Sequence, residues 1–481
     1  MSLQFITGGS GAGKSEYLSR LVCEESVRRP HDNFIVVVPE QYTMETQKKL
    51  VHMHSRKGIL NIDVQSFLRL AWRIFEEVGV DTHTVLEDTG KNLLLRRVAS
   101  RQKNDLTVLG RNFRKPGYIS QVKSIISELK QYDVSLEELD EQLRSGKKDA
   151  LSYKLQDIRN LYEGFQEELQ GKYITSEEIL EELCYVVKKS EILKGCVVAL
   201  DGFTGFTPIQ NKLLRELMQT AEKIYVTVTL DAWEDPMKKV SMHKLSYLSK
   251  KTIQQLAGAA KECGCMLEKP EVLGKEGSIR FRSAPALRFL ERHLFRPGNQ
   301  IYEAQDSQKL ERELSLHVAR DAKAEAEFAA RTIWHLVREE NLRYRDIAVI
   351  TGDMESFGDH MKKELQQKGI PCFIDRTRKL LLNPLVEFLR AALQIAAKSF
   401  RYESMFRYLR TGLAGLKKDE IDRLENYVLA NGINSRRRWE EPWDEQEEPF
   451  KEKILPPLLA FVDQVREKDG TVRQKTEAPY D

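Results

Sequence analysis

Cysteine is scarce and scattered in this chain of 481 residues, with six in all at Cys23, Cys184, Cys196, Cys263, Cys265 and Cys372. Only Cys263-Gly264-Cys265 is close-set, and C-x-C without a second pair is a poor metal signature. Reduced, mostly buried thiols are expected. The nine histidines contain no H-x-x-x-H pair, so a metal site built from this chain is not expected either. Long hydrophobic runs are missing. Nothing approaches a membrane span, and the N-terminus lacks the charged-then-apolar layout of a secretory leader. A motif that begins at Gly8 leaves no room for such a leader, so the expectation is a cytoplasmic protein with no membrane partner. An excess of one charge sign is missing too. The 76 Lys and Arg against 73 Asp and Glu leave a net charge of +3, so a nucleic-acid surface would have to be local. Internal repeats and low-complexity segments are absent. At this length one compact core is excluded, and roughly two to four domains are expected.

What is present starts almost at the first residue. Gly8-Gly9-Ser10-Gly11-Ala12-Gly13-Lys14-Ser15 completes a G-x-x-x-x-G-K-[ST] loop. An apolar run (Leu3, Phe5, Ile6) leads into it, and Leu18, Leu21 and Val22 fall on one face of a helix that follows. That is the strand, loop and helix order that a phosphate-binding loop requires. The glycines let backbone N–H groups turn inward around phosphate oxygens, and the helix adds its positive N-terminal end. Lys14 would reach the outer phosphates, and the Ser15 hydroxyl would hold Mg²⁺. A flexible Gly-rich turn is the plainer alternative, and the flanking pattern disfavours it.

Phe34–Val38 is a continuous apolar, β-branched run ending at Pro39, which reads as a buried parallel strand. A helix through Met44, Leu50 and Val51 follows, then a short strand near Ile62–Val64. From about 85 to 190 the chain changes character to long amphipathic helices. Leu151, Leu155, Ile158, Leu161, Phe165 and Leu169, spaced by three and four, mark one of them. Strand character returns at Cys196–Leu200 and at Ile224–Val228, with a helix opened by Pro208 between them. A polar stretch, Arg296-Pro297-Gly298-Asn299, marks a boundary. Beyond it Leu314–Val318, Ile347–Ile350 and Pro371–Ile374 have strand character, separated by helices through Ile333 and Leu365. From Pro384 the pattern is helical, and it runs out in a polar tail at Arg473–Glu477. The expected class is α/β: a parallel-sheet P-loop domain over about 1–300 with a helical insertion, part of a second β/α domain over about 301–400, and a helical region over about 401–481.

The strand ending at Leu200 delivers Asp201 where a P-loop protein places its Mg²⁺-binding aspartate. A working motor normally follows that aspartate with a glutamate that orients the attacking water. Here Gly202-Phe203-Thr204 follows, so a site of this kind could bind Mg-ATP yet hydrolyse it slowly. Alternatively, Asp201 simply caps an Asp-Gly turn.

Several segments together now resemble one family. They are Gly8–Ser15, Val37-Val38-Pro39-Glu40-Gln41-Tyr42-Thr43, Val64–Arg73, and Leu200-Asp201-Gly202-Phe203, joined by Arg345–Ile350 and Gly369-Ile370-Pro371. Their order and spacing are similar to the N-terminal portion of the AddB (RexB) family, the second subunit of a bacterial helicase–nuclease that processes double-strand breaks. The resemblance runs across essentially the whole chain. It implies a superfamily 1 helicase-like, RecA-like fold that has lost its motor function, while the partner subunit AddA drives unwinding. The missing acid after Asp201 fits that, as does Thr351-Gly352-Asp353 where such helicases usually place an arginine.

The resemblance also implies binding of single- and double-stranded DNA and scanning of the single strand for the Chi sequence. The matching positions are Gln41, Thr43, Phe67, Arg69, Trp72 and Phe206. The residue types suit that role, since Phe67 and Trp72 could stack bases and Arg69 could pair with phosphate or a guanine edge. On a helix, Phe67 and Trp72 could equally be core. The family's nuclease domain and its [4Fe–4S] cluster lie further toward the C-terminus, so that cluster is expected only in the full-length subunit. Cys263 and Cys265 are not assigned to it. An active helicase or ATPase in its own right is the competing reading.

Overall fold

The computed structural model describes residues 1–478 apart from 81–83, 103–104, 113–114, 146–148, 171, 176, 297, 375–379 and 468. Pro297, within the expected boundary at 296–299, thus lies outside the described residues. The chain divides into two compact units, Met1–Leu316 and His317–Asp481. Among the described residues no helix is long and apolar enough to cross a membrane.

Among its described residues the first unit has nine strands: β1 (Ser2–Gly8), β2 (Phe34–Val37), β3 (Ile62–Gln65), β4 (Thr84–Leu86), β5 (Tyr173–Thr175), β6 (Val197–Leu200), β7 (Lys223–Thr229), β8 (Met266–Leu267) and β9 (Glu271–Val272). Seven of them form one sheet in the order β3-β2-β6-β7-β1-β8, with β9 also paired to β1. Every pairing is parallel. The register aligns Phe5 with Val226, Val226 with Leu200, Leu200 with Val37, and Val37 with Gln65. The strands therefore end together at their carboxyl edge, where ligands bind in open α/β sheets.

Alternation along these strands feeds two cores. Leu3, Phe5, Ile35, Val37, Val198, Leu200 and Val226 face one side, against α3 (Phe67–Val78) and helices Glu178–Val186, Pro208–Thr220 and Tyr247–Glu262. Ile6, Phe34, Val36, Ala199 and Tyr225 face the other, against α1 (Lys14–Arg28) and α2 (Thr43–Met53). This three-layer arrangement explains why β2, β6 and β7 read as continuous apolar runs: both faces are covered. Each large side chain so buried is worth about 1.5–3 kcal/mol. Cys196 and Cys184 are part of this packing, and burial pushes their thiols up to about 12 and about 11, which leaves them unreactive. Cys372 alone of the six is exposed.

The helical insertion begins and ends on a two-stranded parallel ladder, in which β4 pairs β5 with Val85 opposite Ile174. Helices Asp88–Arg101, Pro116–Gln131, Leu136–Ser145 and Ala150–Leu169 build its own core around Leu95, Val98, Leu161 and Phe165. Asp157 is fully buried there. Its carboxylate accepts the backbone N–H groups of Thr107 (2.9 Å), Val108 (2.7 Å) and Leu109 (2.8 Å), so it serves as the anchor of the 105–110 turn.

In the second unit, helices Ala322–Arg338 and Met354–Gln367 pack around Ala326, Ala330, Ile333, Met361, Leu365 and Ile370. A separate helical cluster surrounds Phe400, Phe406, Leu424 and the fully buried Trp439. The three strand-like segments differ from expectation. Leu314–Val318, Ile347–Ile350 and Pro371–Ile374 carry no ladder among the described residues, although the backbone is extended at Leu314 and Ile347. Ile347 and Ile370 pack against the helix pair, whereas Ile350 is 94% exposed and Phe373 89% exposed. An apolar β-branched run encodes extension, but a strand also needs a neighbour to accept its hydrogen bonds. The polar tail also differs from expectation, because Val472–Glu477 is a short helix capped by Thr471.

Asp157 yields a stability prediction. Asp157→Ala leaves three backbone donors without their acceptor and should cost at least about 3 kcal/mol, at roughly 1–3 kcal/mol per unsatisfied group. Urea unfolding measures the total. Hydrogen exchange should show lost protection at residues 107–109, and unchanged protection there would refute the anchoring role.

Candidate nucleotide and nucleic-acid site

β1 runs straight into the phosphate-binding loop, and α1 begins at Lys14 with Gly13 as its N-cap in the left-handed region at φ 90°. No side chain caps this helix, so its first N–H groups remain available for an anion. A Cβ at Gly8 would lie 2.9 Å from the Ala12 Cβ and 3.0 Å from the Leu273 carbonyl oxygen, which explains the glycine. Lys14 Nζ donates to the carbonyls of Gly8 and Gly9, each at 3.0 Å, so the lysine folds back over its own loop. Burial is the main cause that lowers the Lys14 pKa, and the carboxylates of Asp201, Glu291 and Asp231 oppose it.

The loop and the second motif meet. Ser15 Oγ donates to Asp201 Oδ1 at 3.0 Å across 186 positions of sequence, and Thr227 Oγ1 on β7 donates to the same oxygen at 2.6 Å. A hydroxyl and a carboxylate in contact are the hard oxygen donors that Mg²⁺ takes, with phosphates and water filling its other positions. Ser15 and Asp201 thus fit the ion. Gly202 sits at φ 80°, again left-handed, with Pro39 Cδ 3.4 Å from where a Cβ would be. The backbone at this position suits glycine and disfavours the glutamate of an active motor.

Thr227, Asp231 and Glu291 were not apparent from sequence. A Cβ at Gly9 would lie 3.1 Å from Glu291 Oε1 and 3.3 Å from Asp231 Oδ1, so both carboxylates border the loop. Asp231 is held by Arg296 through two hydrogen bonds of 2.9 Å. Asp231 lies two residues beyond β7, at the strand edge where Asp201 directly follows β6, a signal that could have found it. Ser10, Gly11 and Ala12 complete the loop, where the Arg280 backbone N–H donates to the Gly11 carbonyl at 3.2 Å.

The expected DNA residues lie along the same sheet edge, after the neighbouring strands β2, β3 and β6. Gln41 is exposed on the turn Glu40–Tyr42. Thr43 is only 6% exposed, and its hydroxyl is spent on the Glu40 carbonyl at 3.0 Å. Phe67, expected to offer a ring face, is 5% exposed because it begins α3 pointing at the sheet. Its ring lies 5.3 Å from that of Phe203 and 6.3 Å from that of Phe206. Phe203, unforeseen, thus joins Phe67 and Phe206 in one aromatic cluster immediately after Asp201-Gly202. Trp72 is 38% exposed, with its edge on Phe75. Arg69 is also exposed, and its Nε donates to Glu40 Oε1 at 2.7 Å. Glu40 further accepts from the Ser66 hydroxyl, and Ser66 in turn caps α3 by accepting from the Arg69 backbone N–H at 3.3 Å. The Ser66 hydrogen bond first, and then Arg69, hold the Glu40 carboxyl below its ordinary range.

A parallel sheet with a phosphate-binding loop after its first strand, and a serine–aspartate contact across its edge, defines a P-loop α/β protein. More narrowly, the chain belongs to the ADDB N-terminal family, whose model matches residues 5–291. A second model, the UvrD-like helicase C-terminal domain, matches residues 282–454, in keeping with a RecA-like helicase fold. The chain is similar to a protein of Lachnoclostridium phytofermentans named as an ATP-dependent helicase/deoxyribonuclease subunit, with 43% identity over 100% of this chain and 43% of that protein. Proteins of the same name from Clostridium novyi and Clostridium kluyveri are 34% and 35% identical, each over 97% of this chain and 41% of the relative. The chain therefore spans less than half the length of these relatives.

The left-handed Gly202 carries a prediction. Gly202→Glu should not confer ATP hydrolysis, and it should lower stability by about 1–2 kcal/mol through the backbone strain of a side chain at positive φ. A brisk, DNA-stimulated ATPase in this variant, measured by phosphate release, would show that the missing carboxylate alone keeps the site silent.

Proposed function

We propose that the chain is the nucleotide- and DNA-binding part of a subunit of an ATP-dependent helicase/exonuclease complex that acts in double-strand break repair by homologous recombination. In this reading it is an inactive helicase-like module that scans single-stranded DNA for Chi. AddA is its partner, the complex works in the cytoplasm, and the nuclease domain with its [4Fe–4S] cluster belongs to the longer subunit. The names of the relatives support the enzymatic context. The observation that carries the nucleotide half is the Ser15–Asp201 contact followed by Gly202, a pair suited to Mg-ATP beside a backbone unsuited to a catalytic glutamate. Bound ATP then acts as a ligand that stabilises one arrangement of the site.

The DNA half rests on the common edge of β2, β3 and β6, where Gln41, Arg69 and Trp72 reach solvent and Phe67, Phe206 and Thr43 back them. Of the six expected DNA residues, Trp72 offers the most exposed ring for stacking. An active helicase in its own right remains the second reading, favoured by the intact loop around Lys14.

Two measurements test this. Calorimetric titration of the chain with Mg-ATP should show binding, and Lys14→Ala should weaken it roughly 10- to 150-fold by removing a charge-assisted contact worth about 1.5–3 kcal/mol. Rapid turnover by the unaltered chain, abolished in Lys14→Ala, would favour the second reading instead. For DNA, Trp72→Ala should reduce single-strand affinity roughly 5- to 150-fold, since stacking is worth about 1–3 kcal/mol per base. A sharp fall in melting temperature with unaltered DNA affinity in the folded fraction would make Trp72 a packing residue only.

A further inference from the structure

Both arginines on the exposed face of α3 are already partnered by acids, Glu40 from the turn after β2 and Asp63 from within β3. Arg69 donates through Nε to Glu40 at 2.7 Å, and Arg73 Nε lies 4.0 Å from Asp63 Oδ2. The other exposed groups on and beside this face are apolar or aromatic (Leu68, Trp72, Tyr42 and Met44), neutral (Gln41) or acidic (Glu45, Glu76 and Glu77). A groove that grips single strands without regard to sequence presents uncompensated cations along the phosphate track. This face presents none among Arg69 and Arg73. Glu40 is also not free to swing away, because Ser66 holds it from the N-cap of α3.

We infer that Glu40 is the specificity-determining residue of this surface: by occupying the Nε of Arg69, it bars the guanidinium from clamping a phosphate and leaves its terminal N–H groups for a neutral acceptor pair on a base edge. The inference rests on the proposed single-strand reading of the site. A phosphate drawn to Arg69 would meet a fixed carboxylate, and like charges repel in that position. Guanine offers O6 and N7, two uncharged acceptors spaced for two guanidinium donors, and meets no such penalty. Among the described residues the terminal nitrogens of Arg69 make no hydrogen bond, so they are available for that edge. A neutral pair also explains how a chain with a net charge of +3 could read a polyanion without gripping it everywhere.

The test uses the 481-residue chain and oligonucleotides of about 20 nucleotides, one rich in guanine and one of thymine only, titrated between about 50 and 200 mM salt. Glu40→Gln removes the charge and keeps one oxygen to accept from Arg69, while its NH2 can donate to the Ser66 hydroxyl in place of the bond now accepted from it. It should tighten binding to both oligonucleotides, with a gain that shrinks about 2.5-fold across that salt range as one more phosphate is neutralised. The preference for the guanine-rich strand should fall toward unity. Glu40→Asp, which shortens the reach to Arg69, should move both readouts in the same direction. Unchanged salt slope and preference in both variants, with binding still weakened by Trp72→Ala, would overturn the role of Glu40 and leave the site standing. Failure of the unaltered chain to bind either oligonucleotide would overturn both.

Discussion

The arrangement depends on one constraint, that every ladder in the main sheet is parallel. Parallel strands deliver their carboxyl ends to a single edge, and each crossover must return over a face before the next strand can start. The phosphate-binding loop, Asp201, Asp231, Glu40 and Ser66 are far apart in sequence, yet each follows the end of a strand in this one sheet. Register then sets the spacing. Because Leu200 lies level with Val37, and Val37 with Gln65, the turn after β6 adjoins the turn after β2, which adjoins the cap of α3. The aromatic cluster of Phe67, Phe203 and Phe206 fills the space beneath these turns and ties the nucleotide motif physically to the face that carries Arg69 and Trp72.

Much of the fold was legible in the sequence because the main strands are covered on both sides. Such strands must be apolar throughout, and Phe34–Val38, Cys196–Leu200 and Ile224–Val228 stand out for that reason. The strands that escaped notice are β8 and β9, at two residues each, and the β4–β5 ladder, at three, which are too short to carry a period. Helix Glu178–Val186 shows the converse limit. Its amphipathic pattern is like that of the insertion before it, but its apolar stripe joins the core of the sheet. Nothing in its own residues names the surface it will cover. The three segments without ladders show that β-type composition leaves pairing to the rest of the chain.

The site divides along similar lines. Lys14, Ser15 and Asp201 were legible because a local motif carries them, and the structure brings Ser15 and Asp201 into contact. Thr227 was hidden because its role depends on facing across from β6, a matter of register. Glu40 lay in plain view between Pro39 and Gln41, but its significance comes from a contact with α3, 29 positions away. Burial is the other quantity that sequence left open. Phe67 and Trp72 sit five positions apart on one helix with similar apolar character, and they differ because only Phe67 begins the helix against the sheet.

The β4–β5 ladder sets the mechanics of the insertion. Neighbouring strands lie about 4.8 Å apart, so an excursion of more than eighty residues leaves and rejoins the sheet domain within one strand spacing. To the sheet domain such an excursion is no longer than a tight turn. Its own core around Leu95 and Leu161 is separate from the cores that cover the strands leading to Asp201 and Ser66. The insertion is thus a pendant hung from this clasp, and a load on its far end reaches the sheet through the clasp and through the Lys130–Glu178 ion pair to helix Glu178–Val186.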